Sequence, residues 1–219
     1  NDPRDLREIG APVRGVVPAL DRRLFFQLQA FGDCTDTAPL IAALEASGLE
    51  GVLYEDVTDP RGVAVLLFSE DPEVFVGAGR RLLSSPPFSH LTQKPEFTMF
   101  GRTYAIGREP EIPEHLIGRP RRNALNPATP WAVWYPLRRK GEFELLPPAE
   151  QGRILMEHAM IGRNYGAAGY AHDIRLVCHG LDANDNEFVL GLMGPKLHYL
   201  SRLVQDMRRT QQTTMYIES

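Results

Sequence analysis

The sequence predicts an α+β chain made of two successive β-α-β-β-α-β units, and three observations carry that expectation. Runs of β-branched and aromatic residues alternate with Ala- and Leu-rich stretches in the same order in both halves. Gly and Pro punctuate the junctions at Gly48, Asp59-Pro60-Arg61-Gly62, Pro86-Pro87 and Pro147-Pro148. The segment dividing the halves, 107–130, carries Pro110, Pro113, Pro120, Pro127 and Pro130 and reads as a linker. At that length it is more often functional or mobile than idle.

In the first half, Leu24 to Phe31 reads as a strand, followed by Gly32-Asp33 and a helix up to about Ser47 that Gly48 stops. A short strand near Val52 to Tyr54, a turn through Asp59 to Gly62 and an apolar run from Val63 to Phe68 form a hairpin. Val74, Phe75, Ala78 and Leu82 mark a second helix ending before Pro86-Pro87, and a strand follows around Phe97 to Tyr104. The second half repeats the order. Trp131 to Leu137 is a strand, and a helix beyond Pro147-Pro148 carries His158. Strands Ile174 to Cys178 and Phe188 to Leu192 flank the turn through Asp182 to Asn186. A helix through Leu197, Leu200, Leu203, Val204 and Met207 leads to a last strand, Thr213 to Ile217. The expected division is a ferredoxin-like domain over 1–106, a linker over 107–130 and a second ferredoxin-like domain over 131–219. Each unit has helices for one face of its sheet only, so two such sheets can bury their open faces together.

Composition narrows the function classes. A chain of 219 residues, 43% hydrophobic and 24% charged, can bury a sizeable core. A net charge of -4 and a pI near 5.9 give no global reason to expect nucleic-acid binding. Local clusters at Arg119, Arg121 and Arg122, and at Arg138, Arg139 and Lys140, suit a ligand's carboxylates as well as a solvated loop. No run of about eighteen apolar residues exists, so no transmembrane helix is expected. Cys34 and Cys178 form neither a C-x-x-C pair nor a disulfide scaffold, which favours a reducing compartment and a cytoplasmic address. The chain opens on Asn1 rather than Met and stops soon after its last predicted strand, leaving room for a leader or a further C-terminal segment.

Two residues stand out. Helical spacing puts Ile154, Leu155, Ile161 and Gly162 around His158, an apolar stripe that suits either a hydrogen-bonded core histidine, the commoner case, or a buried iron ligand. Tyr135 precedes Pro136, which removes a donor from the sheet ladder and implies an edge or bulge where a side chain can be re-aimed. An interior tyrosine packed in the core is the alternative. His90, His179 and His198 make no zinc pattern.

Tyr135-Pro136 after an aromatic strand, the basic pair beyond it, Leu146-Pro147 at a helix start, and His158-Ala159-Met160-Ile161-Gly162-Arg163-Asn164-Tyr165 resemble the chlorite dismutase family. Within it they look most like coproheme decarboxylases, whose helix reads His-Gly-Met-Ile-Gly-Arg-x-Tyr. The resemblance spans about residues 119–216; in the first half only the element order agrees. It implies a dimeric α+β barrel that binds heme b or coproheme and assembles as a homopentamer. By resemblance His158 ligates the iron, and Tyr135 becomes a radical that takes hydrogen from two propionates of coproheme with hydrogen peroxide as oxidant. Arg121 and Arg139 match positions that anchor propionates, the latter falling where the family has a lysine. Guanidinium forks suit a polyanionic porphyrin rim.

The distal side departs from the pattern. A distal glutamine thirteen positions after the histidine would fall on Ala171, and Tyr165 to Tyr170 carries about four extra residues. Counting back from Glu187 puts Arg175 there instead, similar to chlorite dismutases proper; His115 and His172 are further candidates. Three functions follow from the resemblance. They are a peroxide-dependent coproheme decarboxylase, favoured by Tyr135, a chlorite-splitting or peroxidase-like enzyme, favoured by Arg175, and a heme-binding protein without turnover.

Overall fold

A computed structural model describes residues 5–218, and the chain forms two compact units. One runs up to Arg121 and takes in Leu176–Asp185; the other comprises Arg122–Arg175 and the chain from Asn186 onward.

In the first unit, β1 (Glu8–Ile9) and β2 (Ala19–Leu20) form a small ribbon. The main elements are β3 (Phe25–Gly32), α1 (Ala38–Ser47), β4 (Gly51–Glu55), β5 (Val63–Ser69), α2 (Glu73–Val76), α3 (Ala78–Leu83) and β6 (Thr92–Arg102). The sheet is antiparallel in the order β6-β3-β5-β4. Gly48 ends α1 as expected, at φ 67°, a left-handed conformation that costs glycine little. The Asp59 to Gly62 turn closes by Gly62 N–H donating to the Asp59 carbonyl at 2.8 Å. Phe26 and Phe68, opposite each other on β3 and β5, stack at 5.1 Å in the core.

Two expectations change here. The second helix is broken at Gly77, whose ψ of -103° lies off the helical region, so two short helices replace one. Segment 107–130 is not bare loop. It holds a π-helical turn, Glu114–Gly118, and α4 (Arg119–Leu125). Ile112, Leu116, Ile117 and Ala124 are buried there. Their apolar burial repays the ordering; Pro113 sits in the first turn, where a missing N–H is tolerated, and Pro120 follows directly on the π-helical turn within the same continuous helical run.

The second unit contains β7 (Trp131–Arg139), α5 (Pro148–Ala167), β8 (His172–Val177) as far as Arg175, β9 (Phe188–Gly194), α6 (Leu197–Met207), α7 (Gln211–Tyr216) and β10 (Ile217–Glu218). Its antiparallel order β10-β7-β9-β8 is the same fourth-first-third-second arrangement as in the first unit. The chain therefore has the expected α+β fold of two ferredoxin-like repeats. The last expected strand is corrected: only Ile217–Glu218 is extended, and Gln211–Tyr216 is helical. Thr213 and Thr214 are β-branched and read as strand, but the Thr210 hydroxyl accepts from Thr213 N–H, and that cap decides the local structure. Among the described residues no helix is long and apolar enough to cross a membrane.

Candidate functional site

The site is built on α5. Pro148 occupies its first turn, where a missing donor costs nothing, and the helix then presents Ile154, His158, Ile161 and Tyr165 along one stripe. Ile154 is fully buried, and Ile161 and Tyr165 pack on a cluster holding Ala171, Leu192, Leu200 and Leu203. Tyr135 and Val133 of β7 pack on the same cluster, so alternate β7 side chains face α5 and α6.

His158 is half-buried on that stripe. Burial holds its imidazole below the ordinary histidine pKa; the positive charges of Arg175 and Arg139 act in the same direction and Glu157 opposes them. The ring is therefore neutral near pH 7 and can offer a lone pair to a metal. Its Nδ1 lies 3.4 Å from Oγ1 of Thr210.

Tyr135 is held protonated. Burial pushes its phenol up to about 12, Arg208 pulls it down and Asp173 adds to the rise. Pro136 pairs with Val189 without a register shift, and β10 reaches only Arg138 and Arg139 of β7. The proline thus occupies an edge rather than a bulge, and its missing N–H disturbs no ladder bond.

Three arginines were expected to serve the site. Arg139 has a side chain only 16% exposed, and its guanidinium lies 4.5 Å from the ring centre of Phe143 and 4.8 Å from that of Phe188. Nη1 pairs with Glu144 at 3.2 Å, while Nε is buried without a partner. Arg175 is exposed on β8 and pairs through Nε with Asp173 at 3.0 Å. Arg121 lies in the first unit, where Glu50 takes it in a two-point pair at 2.8 and 2.9 Å. The second unit thus brings together His158, Tyr135, Arg139 and Arg175. His172 opens β8, half-buried. His115 has both ring nitrogens engaged, Nε2 with the Tyr104 carbonyl at 3.0 Å and Nδ1 with Arg119 at 3.1 Å.

Sequence reasoning missed Thr210, Asp173, Phe143 and Phe188. Thr210 carried a signal, a threonine followed three residues later by another at a helix start. Phe143 carried none, because a short 3-10 turn, Gly141–Phe143, brings it to Arg139.

Residues 62–219 match the family model described as Chlorite dismutase. The chain belongs to the chlorite dismutase family. Over 77 residues it is 35% identical to a coproheme decarboxylase of Mycolicibacterium smegmatis, a match covering 35% of this chain and 31% of that relative. Two solved structures share the family fold. A heme-binding protein from Thermus thermophilus aligns with TM-score 0.70 at 19% identity, covering 90% of this chain and 87% of that one. A chlorite dismutase from Candidatus Nitrospira defluvii, in complex with imidazole, aligns with TM-score 0.65 at 14% identity, covering 90% and 87%.

Proposed function

We propose that this chain binds an iron porphyrin through His158 and decarboxylates coproheme to heme b with hydrogen peroxide. The observation that carries the reading is a neutral, half-buried His158 on the helix stripe whose Ile161 and Tyr165 share a cluster with a protonated Tyr135, with the charges of Arg139 and Arg175 reaching His158. The partial match to a coproheme decarboxylase supports the same activity.

The residues fit the group. The imidazole is uncharged and reachable, and Arg139 keeps a buried Nε donor that no protein acceptor takes. His158 would hold the iron and Arg139 a propionate. When bound, the iron porphyrin supplies the oxidising power that peroxide brings.

The chain's own part is to position carboxylates and move a hydrogen. Each propionate, one peroxide and one proton give a vinyl group, carbon dioxide and two waters. Tyr135 gives up its phenolic hydrogen as an electron and a proton and takes a hydrogen atom from the propionate carbon next to the ring. The carbon radical then releases carbon dioxide and a second electron to leave the vinyl, and both electrons would reduce the peroxide, which with the protons becomes the two waters. A phenol held at about 12 keeps that hydrogen at any working pH. Arg139 fixes which carboxylate faces Tyr135, because a planar fork grips a carboxylate in one orientation.

A second reading rests on Arg175, whose charge reaches His158. Beside a bound iron porphyrin, a permanent cation would suit an anionic oxidant and hence chlorite splitting or peroxidase chemistry. Binding without turnover is the third. A cytoplasmic address and a homopentamer complete the proposal, as does the division into 1–106, 107–130 and 131–219.

The deciding experiment gives the protein iron coproporphyrin III and hydrogen peroxide and follows the products by chromatography and mass. Loss of two carboxyl groups through a three-propionate intermediate supports the decarboxylase. No mass loss sinks it, and oxygen released from chlorite would then favour Arg175 chemistry. Sedimentation velocity tests the pentamer.

A further inference from the structure

We propose that Thr210 is a positioning residue that sets the tautomer of His158, so that Nε2 is the nitrogen offered to iron. The proposal rests on the reading of His158 as the iron ligand. Thr210 is 1% exposed and joins the end of α6 to the start of α7. A hydroxyl has one hydrogen to give. Here it goes to the Met207 carbonyl at the end of α6, at 2.8 Å, and the same carbonyl also accepts from the Thr210 N–H at 3.1 Å. The Thr213 hydroxyl, at 3.3 Å, is a longer alternative. With its hydrogen committed, Oγ1 faces His158 Nδ1 at 3.4 Å as an acceptor, so Nδ1 carries the imidazole hydrogen and Nε2 carries the lone pair.

Neighbouring bonds hold the threonine in place. Glu157 accepts from Gln211 N–H at 3.0 Å, and Arg153 Nη2 donates to the Gln211 side-chain oxygen at 2.9 Å. Three residues of α5, Arg153, Glu157 and His158, therefore grip the first turn of α7. The ring cannot turn about without leaving an N–H without its acceptor in a largely apolar setting. A partner behind a metal-binding histidine that fixes tautomer and orientation is the usual outer-shell arrangement, and losing it typically costs about 10–100-fold in metal affinity.

The test compares Thr210→Val, Thr210→Ser and the unchanged chain. In the porphyrin-free protein, nitrogen-15 NMR of labelled histidine reads the His158 tautomer directly; with six histidines, one His158→Ala spectrum assigns the signal. The expected result is a proton on Nδ1 in the unchanged chain, a tautomer mixture in the Val variant and the Nδ1 form restored by Ser. With iron protoporphyrin bound, the Val variant should show a lower iron–histidine stretching frequency and about 10–100-fold weaker binding. A merely structural role of Thr210, as cap of α7, would lower the melting temperature without moving tautomer or stretching frequency. A proton on Nε2 in the unchanged chain overturns the proposal, and needs no variant to fold. Undiminished porphyrin binding by His158→Ala would instead overturn the ligand reading, while the tautomer of the porphyrin-free chain still tests Thr210.

Discussion

Arg175 and Asp173 form an ion pair at 3.0 Å, two residues apart on one side of β8. Its two halves act on different site residues. The positive charge of Arg175 helps keep His158 neutral, and the negative charge of Asp173 helps keep Tyr135 protonated. Both influences reinforce burial, the larger cause in each case. Asp173→Asn should therefore let the Tyr135 phenol ionise at lower pH than about 12. Ultraviolet titration of tyrosinate, with Tyr135→Phe subtracted, reads the change; an unchanged or higher titration would refute it.

The lowered His158 pKa makes stability depend on pH in one direction. Below the free histidine value of about 6.5 the unfolded chain takes up a proton that the folded chain resists, so the folded state loses stability as pH falls. Above that value the ring is neutral in both states and contributes no slope. Urea midpoints of the porphyrin-free protein between about pH 5 and 7.5, a range set about the free histidine pKa, should fall with acidity more steeply than those of His158→Gln. Arg175→Ala should reduce the difference, since it removes one cause of the shift.

Signals carried by one or two residues were legible in the sequence, and those made by packing were not. Gly48 and the Asp59–Gly62 turn each encode their conformation locally, and the structure has them as read. The apolar stripe around His158 was legible for the same reason: one helical period suffices to see it. The helical turns at Glu114–Leu125 were hidden behind prolines, because what orders them is the burial of Leu116 and Ile117. At Thr213 and Thr214 β-branching pointed to strand and the Thr210 cap to helix, and the cap prevailed. The Arg139 stack had no local sign, because Phe143 reaches it through a 3-10 turn and Phe188 comes from a strand distant in sequence.

That stack predicts that lysine is no substitute for Arg139, although lysine keeps the charge. An ammonium cannot lie flat on two rings or offer a fork to a carboxylate. Arg139→Lys should cost about 0.5–1 kcal/mol of stability for each aromatic ring that the side chain no longer covers. The measurement is urea unfolding of the porphyrin-free protein; a variant as stable as the parent would deny the stack any role.

Gly191 faces Trp134 across β9 and β7, and a Cβ there would lie 2.6 Å from two atoms of the indole ring. Gly191→Ala must displace the indole or spread the strands, which overpacking places at about 1–3 kcal/mol. Chemical denaturation should show that loss with an unchanged slope. Gly141, whose added Cβ would meet no other atom within 4 Å, is the control, and Gly141→Ala should leave stability nearly unaltered. Equal losses in the two variants would contradict the close approach.

Tyr135→Phe separates binding from chemistry. The ring packs on the cluster with Ala171, Leu192 and Leu203, and phenylalanine fills that space equally well. Burial of the hydroxyl already opposes its ionised form, so removing it deletes no charge. The variant should therefore fold with little change in stability and bind iron coproporphyrin III with unchanged affinity. It has no phenolic hydrogen to exchange with a propionate carbon, so decarboxylation under peroxide should fall by at least about 100-fold, the lower end expected for removing a group that moves hydrogen in the transition state. Product masses and porphyrin titrations measure the two effects on the same preparation. Loss of binding together with turnover would mean that the hydroxyl serves to hold the substrate, and full turnover would remove Tyr135 from the chemistry.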